Sequence, residues 1–285
     1  ADSQPKLCGK AADCAGNIKV KSTISPPINS QYNEIKRLVG DKTYVYAVTN
    51  SLNPAKDGIA VFDANKSEFV SWNQISTSKV KDIFVSGHNL FIIDADEDQL
   101  LIYDISDIKN FKLIGTFADF GNITPEFVYV ADYTAYVAGF TTVSGEYGLM
   151  AISVTEPSEP VFAQKKYVFS GRPVDLQVKD NYIYVLDAQN RKVDVTNLSN
   201  HTFTPKMLKL EQADFVNCPP FTSFEVVADR IYITAKEAQF VGRLYVFKFK
   251  NSGLENGDNL EAVFSSKSYI GLSGEPADVQ TVDGI

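Results

Sequence analysis

The sequence predicts an all-β fold, a β-propeller of four-stranded antiparallel blades. Three observations carry that expectation. One motif returns every 45 to 50 residues, the spacing of a propeller blade. Short runs rich in aromatic and β-branched residues alternate with Pro, Gly, Asn and Asp, as strands and hairpin turns require. No stretch of 12 residues shows convincing helical spacing.

The motif is an apolar strand, a polar turn and an aromatic strand. It reads LVGDKTYVYAV from Leu38, FVSGHNLFIID from Phe84 and YVADYTAYVAG from Tyr129, then QVKDNYIYVLD from Gln177 and EVVADRIYITA from Glu225. An incomplete copy, TVDGI, starts at Thr281. Taking the valine before each turn as anchor gives Val39, Val85, Val130, Val178, Val226 and Val282, with steps of 46, 45, 48, 48 and 56. Six residues beyond four of these anchors stand Phe91, Tyr136, Tyr184 and Tyr232, while the first copy has Tyr44 and Tyr46 to either side. NEIKRLV has the nearest approach to helical spacing, but it aligns with VDLQV and FEVVA and is expected as a strand.

Each unit continues with a third strand (GIAVFD, LLIYDIS, LMAISV, KVDVTN, RLYVFKF) and a fourth (FVSWNQI, KLIGTFA, FAQKKYVF, MLKLEQ, VFSSKSY). Residues 34–270 thus hold five full repeats of one domain spanning 17–285. Residues 17–24, NIKVKSTI, resemble a fourth strand with no blade before it, and 277–285 resemble the start of a further blade. Sharing one blade between the two ends would close a ring and remove its exposed sheet edges. Six blades are therefore favoured, the last incomplete and finished by further chain or a second chain. Five blades are the runner-up.

The third-strand segments carry a family resemblance. LLIYDISDIKNFKLIGTF, 100–117, resembles the LVIVD repeat, an apolar strand ending in Asp and followed by a tight turn and a fourth strand. LMAISVTEPSEPVF, 149–162, has the same turn with Pro157 and Pro160; GIAVFDANKSEFV and KVDVTNLSN are weaker copies, and RLYVFKFKNSG has lost the Asp. The resemblance implies a propeller of bacterial or archaeal surface or secreted proteins, and it transfers no catalytic residues.

Charge narrows the partners. The 27 basic and 35 acidic residues leave a formal charge of −8, which opposes binding to nucleic acid and to anionic membrane surfaces. No run of 18 apolar residues is present, so membrane insertion is not expected. The opening ADSQPKLCGK reads as a processed, exported chain, secreted or at the cell surface. Residues 1–16 read as a tail in which Cys8 and Cys14 are expected to form a local disulfide, leaving Cys218 unpaired; pairings with Cys218 stay open.

Chemistry-bearing patterns are few. His88 and His201 are the two histidines, each in a polar turn, too few for a multi-histidine metal site. Asp94, Asp96 and Asp98 in DADED alternate as oxygen ligands of Ca²⁺ do, although the loop lacks the glycine and closing glutamate of an EF-type site. The competing reading is a solvated charged loop. A second acidic set, Glu34, Asp82, Glu126, Asp175, Glu225 and Asp278, recurs beside the first strands and would ring a channel. Trp72 reads as packing on a fourth strand. Sequons at Asn65, Asn122, Asn197 and Asn200 matter only in a host that glycosylates.

Loops of uneven length between second and third strands share one face with the blade connections, and recognition usually sits on such loops. Asn53, Lys56, Tyr147, Gln189, Arg191 and Phe240 are the candidate ligand-binding residues there. The expected function is a non-enzymatic extracellular or cell-surface scaffold that binds a protein or glycan. The alternatives are a Ca²⁺-dependent propeller hydrolase or lactonase, which would use the channel acids, and a structural subunit of a surface assembly.

Overall fold

A computed structural model of the chain describes residues 32–51, 57–77, 79–142, 146–169, 173–187, 192–198, 206–209, 221–227, 230–238, 241–249, 260–262 and 270–273. Cys8, Cys14, Cys218, residues 17–24 and residues 277–285 lie outside these. The described residues contain no helix and form five antiparallel sheets. The first sheet joins β1 (Tyr32–Gly40), β2 (Tyr44–Ser51), β3 (Gly58–Asp63) and β4 (Glu68–Gln74) in order. The second joins β5 (Val80–Ser86), β6 (Asn89–Asp94), β7 (Gln99–Asp104) and β8 (Lys112–Phe117). The third joins β9 (Ile123–Ala131), β10 (Thr134–Thr141), β11 (Tyr147–Ser153) and β12 (Val161–Phe169). The fourth joins β13 (Pro173–Lys179), β14 (Tyr182–Asp187), β15 (Lys192–Asn197) and β16 (Lys206–Lys209). The fifth joins β17 (Phe221–Val227), β18 (Arg230–Ala238) and β19 (Val241–Phe249), and both β20 (Leu260–Ala262) and β21 (Ile270–Ser273) pair with β19.

Residues of all five first strands, β1, β5, β9, β13 and β17, line one cavity, which marks the axis of a five-bladed propeller. The favoured count of six is corrected to five, the runner-up. Its extra blade was inferred from end segments that lie outside the described residues. NEIKRLV is strand β1, as expected. The fourth strand expected at 263–269 lies outside the described residues, and the segments flanking it, β20 and β21, carry the outer edge of that sheet.

Burial explains the strand sequences. β3, in GIAVFD, is buried throughout, and β6 and β7 are nearly so, because the middle strands of a blade are covered on both faces by neighbouring blades. β8, at the rim, has exposed residues at half of its positions. One apolar cluster joins blades one and two through Val48, Ile59, Ile92 and Leu101. Another joins blades two and three through Phe91, Ile102, Val128 and Val137. Leu149, Leu176 and Val185 join blades three and four, and Leu186, Val193, Phe224 and Ile233 join four and five. The units cannot bury these faces alone, so the ring is the folding unit. The hairpins Asp132–Tyr133 and Asp180–Asn181 put both central residues at positive φ, between 47° and 63°. Asp and Asn tolerate that region, which matches the twist of the flanking strands.

A second device ties the rim strands β4 and β8 to the next blade. Val70 in β4 and Ile114 in β8 are bulged, and the residue after each, Ser71 or Gly115, takes an equivalent place. The Ser71 hydroxyl donates to the Ile108 carbonyl in the turn between β7 and β8. At Gly115 the corresponding turn of blade three brings the Pro157 carbonyl so close that an added Cβ would meet its oxygen at 2.0 Å. The turn itself is capped by the Asp that ends the LVIVD-like strand: Asp104 Oδ1 accepts the Ser106 N–H at 2.8 Å and its hydroxyl at 2.6 Å. Asp63 caps the corresponding turn of blade one through the N–H groups of Asn65 and Lys66, both at 2.9 Å. Ser71→Ala should cost only about 1 kcal/mol, because Asn73 Nδ2 also donates to Ile108, at 2.9 Å. Urea unfolding would check this, and a loss above about 3 kcal/mol would refute it.

Candidate functional site

Every first strand carries a bulge near its start. The extra residues are Lys36, Lys81, Glu126, Val174 and Thr222, where the pairing with the second strand slips by one. A bulge re-aims the side chain that follows it. The residues so placed are Arg37, Asp82, Phe127, Asp175 and Ser223, one from each blade. This register also corrects the repeat anchor in the first blade. Gly40, not Val39, is equivalent to Val85, and the aromatic six residues on is then Tyr46, in step with the other four blades.

Arg37 ties this ring together. Its Nε lies 3.5 Å from Asp82 Oδ1 and 3.5 Å from the Lys81 carbonyl oxygen, to which it donates. Its guanidinium carbon sits 5.6 Å from the centre of the Phe127 ring, within cation–π range. The side chains are largely buried, with 17% and 14% exposure for Arg37 and Asp82. The two aspartates also bind forward to the next blade. Asp82 Oδ2 accepts the Val128 N–H at 2.9 Å. Asp175 Oδ2 accepts the Phe224 N–H at 2.9 Å and the Ser223 hydroxyl at 2.8 Å. Two residues further along β13, Gln177 accepts the Val226 N–H at 2.6 Å and donates to Glu225 Oε1 at 3.2 Å.

Arg37, Asp82, Asp175, Gln177 and Glu225 line a cavity of about 180 Å³, room for roughly six waters at about 30 Å³ each. Phe84 and Tyr129 add an aromatic wall, their ring centres 4.3 Å apart. Three carboxylates, Asp82, Asp175 and Glu225, face one guanidinium, so the cavity is electronegative when all are ionised. Burial pushes the Asp82 carboxyl up to about 6, with Arg37 pulling the other way. Burial also raises Asp175, again opposed by Arg37. Tyr129 is pushed up to about 12 by burial and then by the Glu225 charge.

The raised Asp82 fixes a pH dependence. A folded pKa above the unfolded one means the native state holds its proton more tightly. The stabilisation is complete below the ordinary 3.8 and is lost as pH rises through about 6. At 1.36 kcal/mol per unit the difference approaches ~3 kcal/mol. Asp63 and Asp104, held low chiefly by backbone and side-chain hydrogen bonds respectively, lose their contribution only below 3.8. Guanidinium unfolding should therefore show a more stable protein at pH 5 than at pH 8, and the reverse order would refute the assignment.

The acidic set divides on inspection. Asp82 and Asp175 hold equivalent places; Glu126 is a bulge residue 3.5 Å from Lys81, and Glu225 lies two residues past the ring position. Glu34 belongs to β1 but its side chain is outside the described residues, as is Asp278. The expected ring of equivalent acids is thus a mixed ring. DADED is a tight turn between β6 and β7. Asp94 is buried, accepting from Thr77 Oγ1 and the Asp96 N–H through Oδ1 and from Gln99 through Oδ2. Asp96 and Asp98 are exposed. Among the described residues no three His, Cys, Asp or Glu side chains are placed to hold a metal ion.

Of the loop-face candidates, Tyr147 opens β11 and packs edge-on against Phe140 at 5.4 Å. Asn53, Lys56, Gln189, Arg191 and Phe240 lie outside the described residues. His88 is exposed in the turn between β5 and β6, and His201 lies outside the described residues. Trp72 packs, donating from Nε1 to Thr49 Oγ1 at 3.1 Å. Sequence reasoning missed Arg37 entirely. The bulge at Lys36, which gives Arg37 its place, leaves no mark in composition.

Residues 78–119 and 170–206 match the LVIVD repeat family model. These matches cover blade two and most of blade four, including the quoted copies at 100–117 and KVDVTNLSN. The copy at 149–162 lies between them. No curated protein matches the chain. Among solved structures, a protein from Lactobacillus plantarum is similar over 88% of this chain and 73% of its own, at 11% identity and a TM-score of 0.63. A protein from Bacteroides fragilis, provisionally described as a 6-phosphogluconolactonase, is similar over 86% of this chain and 73% of its own, at 12% identity and TM-score 0.59. A functionally unknown protein from Desulfotomaculum acetoxidans covers 85% of this chain with 75% of its own, at 15% identity and TM-score 0.57. At these identities the likeness is one of fold.

Proposed function

We propose that this chain, a five-bladed propeller carrying LVIVD repeats, is a non-enzymatic binding module of the cell exterior that holds a protein or glycan over its axial cavity. The observation that carries this reading is the repeated bulge that aims Arg37, Asp82 and Asp175 at the axis. Burying charges costs stability that apolar packing would have supplied. A ring built only to close would fill its axis with apolar side chains; this one keeps an open, charged cavity. Strongly perturbed carboxyls in a cavity are a mark of functional sites. Tyr147 lies beside the start of β9, since Phe140 pairs with both Tyr147 and Thr124.

The Ca²⁺-dependent hydrolase reading draws on the same carboxylates. Arg37 Nε, 3.5 Å from Asp82 Oδ1, already engages that carboxylate. Calorimetry with CaCl₂ separates the two readings, heat of binding favouring the hydrolase. For the binding module, the test is capture from a bacterial extracellular fraction and on a glycan array. Wild type and a Tyr147→Ala, Glu225→Gln double variant are compared at matched thermal midpoints. A partner retained by wild type and lost by the variant supports the reading. Equal retention, or no partner in either format, overturns it.

A further inference from the structure

We propose that the axial cavity takes a primary ammonium group, presented on a lysine side chain or an amino sugar. The inference rests on the binding reading above and specifies its ligand. Among the described lining residues Asp82, Asp175 and Glu225 outnumber Arg37, so an incoming cation reduces the charge excess and an incoming anion worsens it. Field lines from these groups concentrate in a narrow cleft with low-dielectric walls. Phe84 and Tyr129 present aromatic surface beside them, and ring faces attract ammonium ions. The volume, about 180 Å³, suits one compact head group and its stem. Arg37, engaged by Asp82 and the Phe127 ring, supplies the one guanidinium among the described lining residues and leaves their summed charge negative.

The test is calorimetric titration at pH 7.5 with Nα-acetyl-lysine amide and glucosamine, each beside a neutral counterpart, Nα-acetyl-norleucine amide and glucose. The ammonium probes should bind at least about tenfold tighter than their counterparts. Which ammonium probe binds more tightly identifies the source. Glu225→Gln, a conservative change checked by its thermal midpoint, should weaken the preferred probe about tenfold. Affinity should fall as pH drops through about 6 and Asp82 is neutralised. Equal binding of neutral and charged probes, or of wild type and Glu225→Gln, overturns the ammonium assignment while the binding module stands. Absence of any binding at millimolar probe also overturns it, and partner capture judges the broader reading separately.

Discussion

Arg37→Met is expected to destabilise the propeller by about 3–5 kcal/mol at pH 8. Methionine fills much of the arginine's volume, so packing changes little. What is lost is the counter-charge of two buried carboxylates, Asp82 of the second blade and Asp175 of the fourth. The deficit should shrink below pH 6, because protonated carboxyls no longer need a partner. Arg37→Lys should fall between the two, retaining charge but losing the planar fork and the stacking over Phe127. Urea unfolding of the three proteins at pH 5 and pH 8 gives the comparison. A loss that is the same at both pH values would show that Arg37 acts by shape alone.

Gly115→Val is expected to have a comparable effect, several kcal/mol, for a steric reason. The obstacle is a backbone carbonyl, that of Pro157, at 2.0 Å from the Cβ position, and neither strand nor turn can swing aside. The third blade must separate from the second, exposing part of the cluster around Ile102 and Val137. Gly87→Val at the hairpin tip is the control. Its φ of 59° imposes backbone strain, but nothing lies within 4 Å of the added Cβ. Thermal melts should place Gly115→Val well below Gly87→Val. The opposite order would mean that strain, not contact between blades, limits stability.

The ring was legible in the sequence because blade repetition is written in strands and turns. Phe91, Tyr136, Tyr184 and Tyr232 recur at fixed spacing because each pairs with the equivalent position of its first strand, Phe84, Tyr129, Gln177 and Glu225. The number of blades was less legible: TVDGI resembles a first strand locally, and nothing in five residues says whether a sheet forms on it. The site was half legible. Asp82 and Asp175 stood out as acids beside first strands, and the forward hydrogen bonds to Val128 and Phe224 explain why a carboxylate suits that place. Arg37 did not stand out, because anchoring the first repeat on Val39 rather than Gly40 set Arg37 one residue out of register with Asp82. DADED attracted attention by composition, yet Asp94 spends both carboxylate oxygens pinning its own turn.

The docking of each LVIVD-type turn on the rim strand before it spans a modest length of chain, from Ser71 to Ile108 and from Gly115 to Pro157. Closing such short loops costs little entropy compared with joining distant parts of a large ring. A nascent polypeptide can therefore secure a finished sheet as soon as the following one has emerged. Assembly in that order runs from the first blade onward, each docked turn shielding the rim strand behind it before the last blade is in place.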